Sequence, residues 1–173
     1  PAFMKPPPAN APLITRLMAA YYMASEEYGL DLQTEEGWQR VLARYWGNIT
    51  LVDRSVQKIL SALEESGQTD NTIVVFTSDH GEMTGDHGIL GKTLMYEESV
   101  RVPMLIRAPM LGRTQKKITG NFGHIDLVPT LLDLMETDRP ETLQGQSRTP
   151  DLRGEATTLS SHVFIESSGA AHQ

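Results

Sequence analysis

One short run limits the possible folds of this chain more than any other feature. Residues 72–77 read Thr-Ile-Val-Val-Phe-Thr, so β-branched and aromatic side chains follow one another and apolar groups point to both faces. A strand of this kind is typical of the centre of a parallel sheet that is covered on both sides. The run therefore predicts a central parallel strand in an α/β domain.

Helical patterns lie on both sides of this strand. Upstream, apolar residues at helical spacing predict one long helix from about Thr34, a weak cap, to Gly67, a residue suited to the left-handed end of a helix. Its apolar face consists of Trp38, Val41, Leu42, Tyr45, Ile49, Val52, Val56, Ile59, Leu60 and Leu63. Downstream, Asp126 is predicted to cap a helix that runs to about Met135.

Weaker patterns predict the remaining elements. Five of the 10 prolines lie in the first 14 residues, which predicts an extended arm. A short helix is predicted at Thr15–Tyr28, and strands are predicted at Val102–Arg107, Lys116–Thr119 and Val163–Ile165. Together these elements predict an α/β fold with a partial, mixed and mostly parallel sheet flanked by helices.

Composition excludes several classes of function. The net charge of −7 disfavours nucleic acid as a partner, and the 15 Lys and Arg residues are scattered along the chain. With no Cys, these 173 residues contain no disulfide, thiolate metal site or cysteine nucleophile. No stretch is long and apolar enough for a membrane span, so a soluble protein is expected, with periplasmic or secreted and cytoplasmic locations both open.

The loop after the predicted central strand, here called the site loop, runs from Asp79 to about Met95. It lies where α/β sheets place their ligand crevices. Asp79 and His80 are adjacent oxygen and nitrogen ligands for a divalent cation, but calcium takes about six to eight ligands. From these two residues alone, a strand-end cap at Asp79 and a hydrogen-bonded polar His80 explain the pair equally well.

A longer pattern favours the metal site. Residues 77–92, which include most of the site loop, read Thr-Ser-Asp-His-Gly-Glu-Met-Thr-Gly-Asp-His-Gly-Ile-Leu-Gly-Lys. This stretch closely resembles the second signature region of the sulfatases. These are calcium-dependent sulfate-ester hydrolases of the alkaline-phosphatase superfamily. The resemblance extends to residues 45–53, 72–78, 96–103, 124–132 and 143–145. It implies that Asp79 and His80 bind calcium, or another divalent cation, and that Lys92 binds a sulfate oxygen.

Other polar residues receive structural interpretations. His87 in the site loop is expected to bond exposed backbone carbonyls, with a place in the substrate cleft as the alternative. Glu97, Glu98 and Arg101 have the spacing of a short helix with an ion pair. Asp53, in the middle of the long helix, is expected to be a buried polar anchor.

The nucleophile of the family does not occur in this sequence. It is a formylglycine made from a Cys or Ser in a Cys/Ser-x-Pro/Ala-x-Arg stretch, and no such stretch is present. The resemblance implies that formylglycine lies upstream of this chain and that the alkaline-phosphatase-like fold is incomplete at its N-terminal side. Residues 1–156 are expected to form the C-terminal half of the catalytic domain, and residues 157–173 the start of a C-terminal subdomain or a tail.

The resemblance implies a part in the hydrolysis of sulfate esters. The substrate would be a sulfated small molecule or glycan, and the chain alone is expected to be inactive and to associate through its exposed sheet or with the missing half. Two alternatives stay open. One is a phosphonate or phosphate ester hydrolase of the same superfamily, and the other is a non-catalytic truncated remnant.

Overall fold

The computed structural model of the protein describes residues 5–24, 29–112, 117–155 and 162–166. The helices and strands in these ranges are α1 Leu13–Ala24, α2 Glu35–Glu65, β1 Val74–Thr77, α3 Glu97–Val100, β2 Met104–Arg107, α4 Leu127–Leu134 and α5 Thr149–Arg153. None of the helices in this part of the chain combines the length and the apolar character that crossing a bilayer requires.

The longest element, α2, begins and ends at the residues that its sequence predicts. The Oγ1 atom of Thr34 accepts a hydrogen bond from the backbone N–H of Gly37 at 3.1 Å, which satisfies a free donor of the first turn. At the other end Gly67 has a φ of 69° and donates to the carbonyl of Glu64 at 3.0 Å. The predicted long helix is therefore confirmed.

The two strands pair with each other in a two-stranded sheet. Each begins two residues later than the run that predicts it, at Val74 and Met104. The helices and this small sheet confirm the α/β class of an incomplete domain. The side chains of β1 are half-buried or exposed, not covered on both faces as predicted, because the described sheet has only two strands.

The backbone differs from the prediction at two of the weaker strands and at the first helix. The strand at Val163–Ile165 is wrong, since these residues are irregular. Of the predicted strand at Lys116–Thr119, residues 117–119 are irregular and Lys116 lies outside the described residues. The helix predicted from Thr15 starts earlier, at Leu13, within the predicted arm, and residues 25–28 at its predicted end are not among those described.

Close contacts divide the described residues into two compact units, the first with residues 5–24, 29–69 and 76–105, the second with residues 70–75, 106–112, 117–155 and 162–166. The first unit has two apolar clusters. Buried in one are Leu30, Leu32, Trp38 and Leu90, and buried in the other are Ala19, Met83 and Ile89. Because Met83, Ile89 and Leu90 belong to the site loop, this loop is anchored in the core of its own unit.

Most of α2 is exposed. Trp38 at its start is fully buried, and its Nε1–H donates to the carbonyl oxygen of Leu32 at 2.7 Å. Farther along, the predicted apolar face is open to solvent, for example at Ile49 and Ile59. Asp53 is exposed as well, so its predicted role as a buried anchor is wrong. None of the described residues covers this part of the helix.

The second unit contains a buried ion pair that the sequence did not indicate. Asp126 is expected to cap α4, but its side chain makes no bond to the first turn of that helix. Instead, Oδ2 accepts from the Arg148 guanidinium at 2.8 Å and Oδ1 from the backbone N–H of Gln146 at 2.8 Å. The helix occupies the predicted range, with Asp126 at its N-cap position and Met135 at its C-cap position, but the side-chain capping bond is absent because a partner 22 residues away takes up the carboxylate.

Candidate active site

The end of β1 places Asp79 and His80 side by side. The hydroxyl of Ser78 donates to the carbonyl oxygen of His80 at 2.7 Å, and Asp79 Oδ1 accepts from the backbone N–H of His80 at 3.0 Å. The second bond orients the Asp79 carboxylate, and Asp79 Oδ2 lies 3.3 Å from His80 Nε2. The oxygen and nitrogen expected to bind a cation therefore converge.

The other ring nitrogen of His80 determines which nitrogen can bind a metal. Nδ1 lies 2.8 Å from the carbonyl oxygen of Gly81. A carbonyl oxygen can only accept, so this contact assigns the proton to Nδ1. In the neutral ring, Nε2 then keeps its lone pair, which is the arrangement of metal-binding histidines whose second nitrogen donates to a carbonyl.

Lys92 reaches the same point from the far side of the site loop. Its Nζ is in hydrogen-bond contact with His80 Nε2, although the two residues are 12 positions apart in the chain. Its side chain is exposed. The fold thus brings together Asp79, His80 and Lys92, the three residues that the sequence singles out. Their roles in binding metal and sulfate stay predictions.

The surroundings of Asp79 favour its ionised form. Desolvation raises the pKa of this carboxyl, but the hydrogen bond from the backbone N–H of His80 and the electrostatic interactions with His80 and Lys92 together outweigh it. The pKa therefore lies below its ordinary value of 3.8. The carboxylate is ionised at neutral pH and, with a side chain that is 83% exposed, accessible to a cation.

The donor chemistry of this pair fits a divalent cation. An ionised carboxylate oxygen and a neutral imidazole nitrogen are both ordinary ligands of such ions. Within the described ranges, no group of three or more His, Cys, Asp or Glu side chains gathers closely enough to hold a metal. The geometry therefore accounts for two ligands, Asp79 and His80.

His87 lies in a backbone conformation that few residues other than glycine adopt. Its φ is 58°, in the left-handed region, where histidine is found more often than most side chains. The ring stacks on Tyr96 with centroids 4.2 Å apart, and the Tyr96 hydroxyl lies 3.3 Å from Thr15 Oγ1. Aromatic packing, and not the predicted bond to a carbonyl, is the contact seen for this ring.

Two residues near Lys92 received no role from the sequence. Glu82 Oε1 accepts a hydrogen bond from the backbone N–H of Gly91, and Ser99 Oγ donates to the carbonyl oxygen of Lys92 at 2.8 Å. Glu82 lies inside the sulfatase-like stretch, which is the signal that could have drawn attention to it. Ser99 is part of the short helix α3, and no spacing pattern relates it to Lys92.

Flanking this region, α3 forms where the acidic and basic residues predict a short helix. Arg101 Nη1 lies 3.4 Å from Glu97 Oε2, and both side chains are exposed. The predicted short helix with an ion pair is therefore confirmed, and an exposed pair of this kind contributes little to stability, about 0.3–0.5 kcal/mol.

Comparison with known proteins relates this arrangement to one family. The family model described as Sulfatase matches residues 7–137. An N-acetylglucosamine-6-O-sulfatase of Bacteroides thetaiotaomicron is 38% identical over 124 residues, which are 70% of this chain and 22% of the relative. The chain thus spans about a fifth of that relative's length.

Solved structures show the same relation. A phosphonate monoester hydrolase from Silicibacter pomeroyi superposes with a TM-score of 0.72 at 34% identity, over 84% of this chain and 29% of that protein. A protein solved in complex with its substrate D-glucosamine-2-N,6-O-disulfate superposes with a TM-score of 0.66 at 33% identity, over 81% of this chain and 29% of that protein. With the family model covering most of its length, the chain belongs to the sulfatase family.

Proposed function

We propose that this chain supplies the metal-binding and anion-binding part of an enzyme that hydrolyses sulfate esters. One observation carries the proposal, namely the convergence of Asp79 Oδ2, His80 Nε2 and Lys92 Nζ at the end of β1. An anionic ester needs positive charge close to the oxygens on which negative charge develops. Asp79 and His80 provide two ligands for a cation, and the ammonium group of Lys92 lies beside them.

Each residue has a distinct part in this proposal. Asp79 and His80 would hold calcium, or another divalent cation, and the bound ion would supply positive charge to the sulfate group. Lys92 contributes a mobile point charge that binds a sulfate oxygen. Since Nε2 of His80 has one lone pair, it serves either Lys92, as seen here, or a cation.

The proposal places the nucleophile on a different segment. A formylglycine is expected outside these 173 residues, because they contain neither cysteine nor a Ser-x-Pro/Ala-x-Arg stretch. Residues 1–156 are then part of a catalytic domain that other segments complete, and residues 157–173 lead into a further subdomain or a tail. The chain by itself is expected to hydrolyse no aryl sulfate. If the protein is instead a non-catalytic remnant, longer polypeptides that contain this chain should also show no hydrolysis.

Two relatives support a proposal for the substrate class. A sulfated saccharide is the first choice, because the Bacteroides relative is named for such an activity and one structural neighbour was solved with a disulfated glucosamine. A phosphonate monoester is the second candidate, since another neighbour is a phosphonate monoester hydrolase. Both substrates present tetrahedral anionic groups that a cation and a lysine can bind.

Calcium binding to the chain tests the metal part of the proposal. Asp79→Asn removes the charge of one of two protein ligands, so the dissociation constant measured by titration calorimetry should rise about tenfold or more. Asp53→Asn makes the same chemical change on the exposed part of α2 and should leave the affinity unchanged. Equal affinities for wild type and Asp79→Asn would contradict the assignment.

Turnover tests the chemistry. A polypeptide that joins this chain to a formylglycine-bearing segment should hydrolyse 4-nitrophenyl sulfate or glucosamine 6-sulfate, and Lys92→Ala should lower kcat/KM about 100-fold. A higher kcat/KM for phenyl phosphonate esters would favour the second candidate. Hydrolysis by the 173-residue chain alone that survives Lys92→Ala would refute the proposed roles.

A further inference from the structure

The backbone around Lys92 is bonded from several directions. Just before it, the N–H of Gly91 donates to Glu82 Oε1, and the carbonyl oxygen of Gly91 accepts from the N–H of Met83 at 2.9 Å. The carbonyl oxygen of Lys92 itself accepts from Ser99 Oγ at 2.8 Å. Two side chains, Glu82 and Ser99, therefore hold the main chain on the two sides of the Lys92 Cα.

Glu82 accepts from two backbone donors in a part of the loop that includes a strained residue, Thr84. The same Oε1 lies 3.4 Å from the backbone N–H of Thr84. Thr84 has a φ of 47° and Gly91 a φ of 83°, so both donors lie in the left-handed region, where a β-branched residue such as threonine is strained. Hydrogen bonds to a carboxylate are stronger than those to a neutral acceptor, which suits Glu82 to this task.

Ser99 connects the two ends of the site. Its side chain is 3% exposed, and while its hydroxyl bonds Lys92, its own carbonyl oxygen accepts from the N–H of Gly81 at 2.7 Å. Gly81 directly follows His80. The backbones are closely packed at this point, because a Cβ on Gly81 would lie 2.0 Å from the carbonyl oxygen of Glu98. One residue thus supports both His80 and Lys92.

We infer that Glu82 and Ser99 are positioning residues that fix the backbone of Lys92 so that its ammonium group lies at His80 Nε2. Neither side chain touches the ammonium group, and each acts through the main chain. The inference rests on the proposed function only where it says that this ammonium group binds an anion. General support of the loop is the competing explanation, and it predicts a loss of stability with the Lys92–His80 contact retained.

The contact itself is the first measurement. In the 173-residue chain, a nuclear Overhauser effect between the Lys92 Hε protons and His80 Hε1 should be present in the wild type, because Nζ and Nε2 are in contact. It should be lost in Glu82→Ala and in Ser99→Ala. Glu82→Gln keeps an oxygen acceptor and should restore it, and Glu97→Ala, an exposed control, should retain it.

A dispersed amide spectrum shows in the same experiment that each variant is folded. If Glu82→Ala fails to fold, Ser99→Ala alone decides the question, since it removes one hydroxyl and leaves the carboxylate in place. An undiminished Lys92–His80 effect in a folded Glu82→Ala or Ser99→Ala chain would overturn the inference, whatever the change in melting temperature.

Anion binding is the second measurement. Titration with inorganic sulfate, followed at the Lys92 side-chain signals, should give a dissociation constant about 5–10 times larger for Glu82→Ala, an effect of the size of one ordinary hydrogen bond. In a Lys92→Ala background the same change should have no further effect on sulfate binding, measured by calorimetry. Additive losses would show that Glu82 acts independently of Lys92 and would refute the positioning role.

The two proposals fail separately. Absence of sulfatase activity in every longer polypeptide would refute the proposed function and leave the Lys92–His80 measurement to decide the positioning role. Conversely, an active enzyme in which Glu82→Ala, Glu82→Gln and Glu97→Ala have equal kcat/KM would keep the proposed function and refute the inference.

Discussion

The site loop and the exposed part of α2 belong to the same compact unit, but different interactions hold them. In the loop, Met83 and Ile89 are fully buried and the backbone returns on itself through bonds such as Gly85 N–H to the Ile89 carbonyl at 2.9 Å. In α2, the bonds that fix the helix are its own ladder and caps. Its apolar residues after the first turns, such as Ile59, contact solvent.

The site loop depends on contacts between distant residues, whereas α2 depends on hydrogen bonds between residues that are close in sequence. The loop is irregular, yet its buried residues and its backbone bonds leave one arrangement, so Asp79, His80 and Lys92 meet within it. The helix is regular because each turn repeats the same backbone hydrogen bond and caps satisfy the free groups at its ends. Its apolar stripe predicts burial against something, but no described residue supplies that surface.

The test with the largest expected change in stability replaces one isoleucine in each region. Ile89→Ala in the site loop removes a fully buried side chain from the cluster with Ala19 and Met83 and should lower the free energy of unfolding by about 2–5 kcal/mol. Ile59→Ala in α2 removes a side chain that is 66% exposed, and the change should stay within about 0.5 kcal/mol. Guanidinium unfolding followed by tryptophan fluorescence reports on this unit, because both tryptophans lie in α2. A large loss at Ile59 would mean that its face of the helix is covered in solution.

Predictions succeeded where the deciding interactions are close in sequence. Thr34 and Gly67 mark the ends of α2, and β1 and α3 form where short runs of suitable residues predict them. Asp79 and His80 are neighbours, so their convergence follows from one turn after a strand. Local pattern was sufficient for each of these elements.

Failures occurred where a distant residue determines the outcome. Asp126 has the pattern of a helix cap, but Arg148 takes up its carboxylate and no capping rule detects such a partner. Likewise, the contact between Lys92 and His80 could not be predicted from the chemistry of the two residues alone. That expectation came from resemblance to the sulfatases, and the hydrogen bonds of Glu82 and Ser99 that accompany it became visible only in three dimensions.

A smaller test uses one glycine from each region. Gly81→Ala places a Cβ 2.0 Å from the carbonyl oxygen of Glu98, so the site loop must shift, at a cost of about 1–3 kcal/mol in unfolding free energy. Gly47→Ala in α2 meets no atom within 4 Å and should raise stability by about 0.5–1 kcal/mol through helix propensity. Thermal unfolding by circular dichroism measures both. Changes in stability of opposite sign would support the contrast between the packed site loop and the exposed helix. A destabilising Gly47→Ala would contradict it, because it would show that this face of α2 is packed.

The smallest expected effect concerns the titration of Asp79 in the site loop. Desolvation raises its pKa, but the His80 backbone N–H and the electrostatic interactions with His80 and Lys92 bring it below the ordinary value. A group with a lowered folded-state pKa contributes stability above its unfolded pKa and loses it as the pH falls through the folded one. This contribution is small because the side chain is exposed and solvent screens its partners.

The pKa itself is directly measurable from the carboxyl ¹³C shift of Asp79 without calcium. We expect a midpoint below 3.8, and Lys92→Ala should move it upward because one of the lowering charges is removed. A midpoint unmoved by Lys92→Ala would mean that the ammonium group lies away from the carboxylate in solution. The site loop would then resemble the exposed part of α2, where apolar side chains such as Ile59 contact solvent, and the contrast between the two regions would hold for the backbone alone.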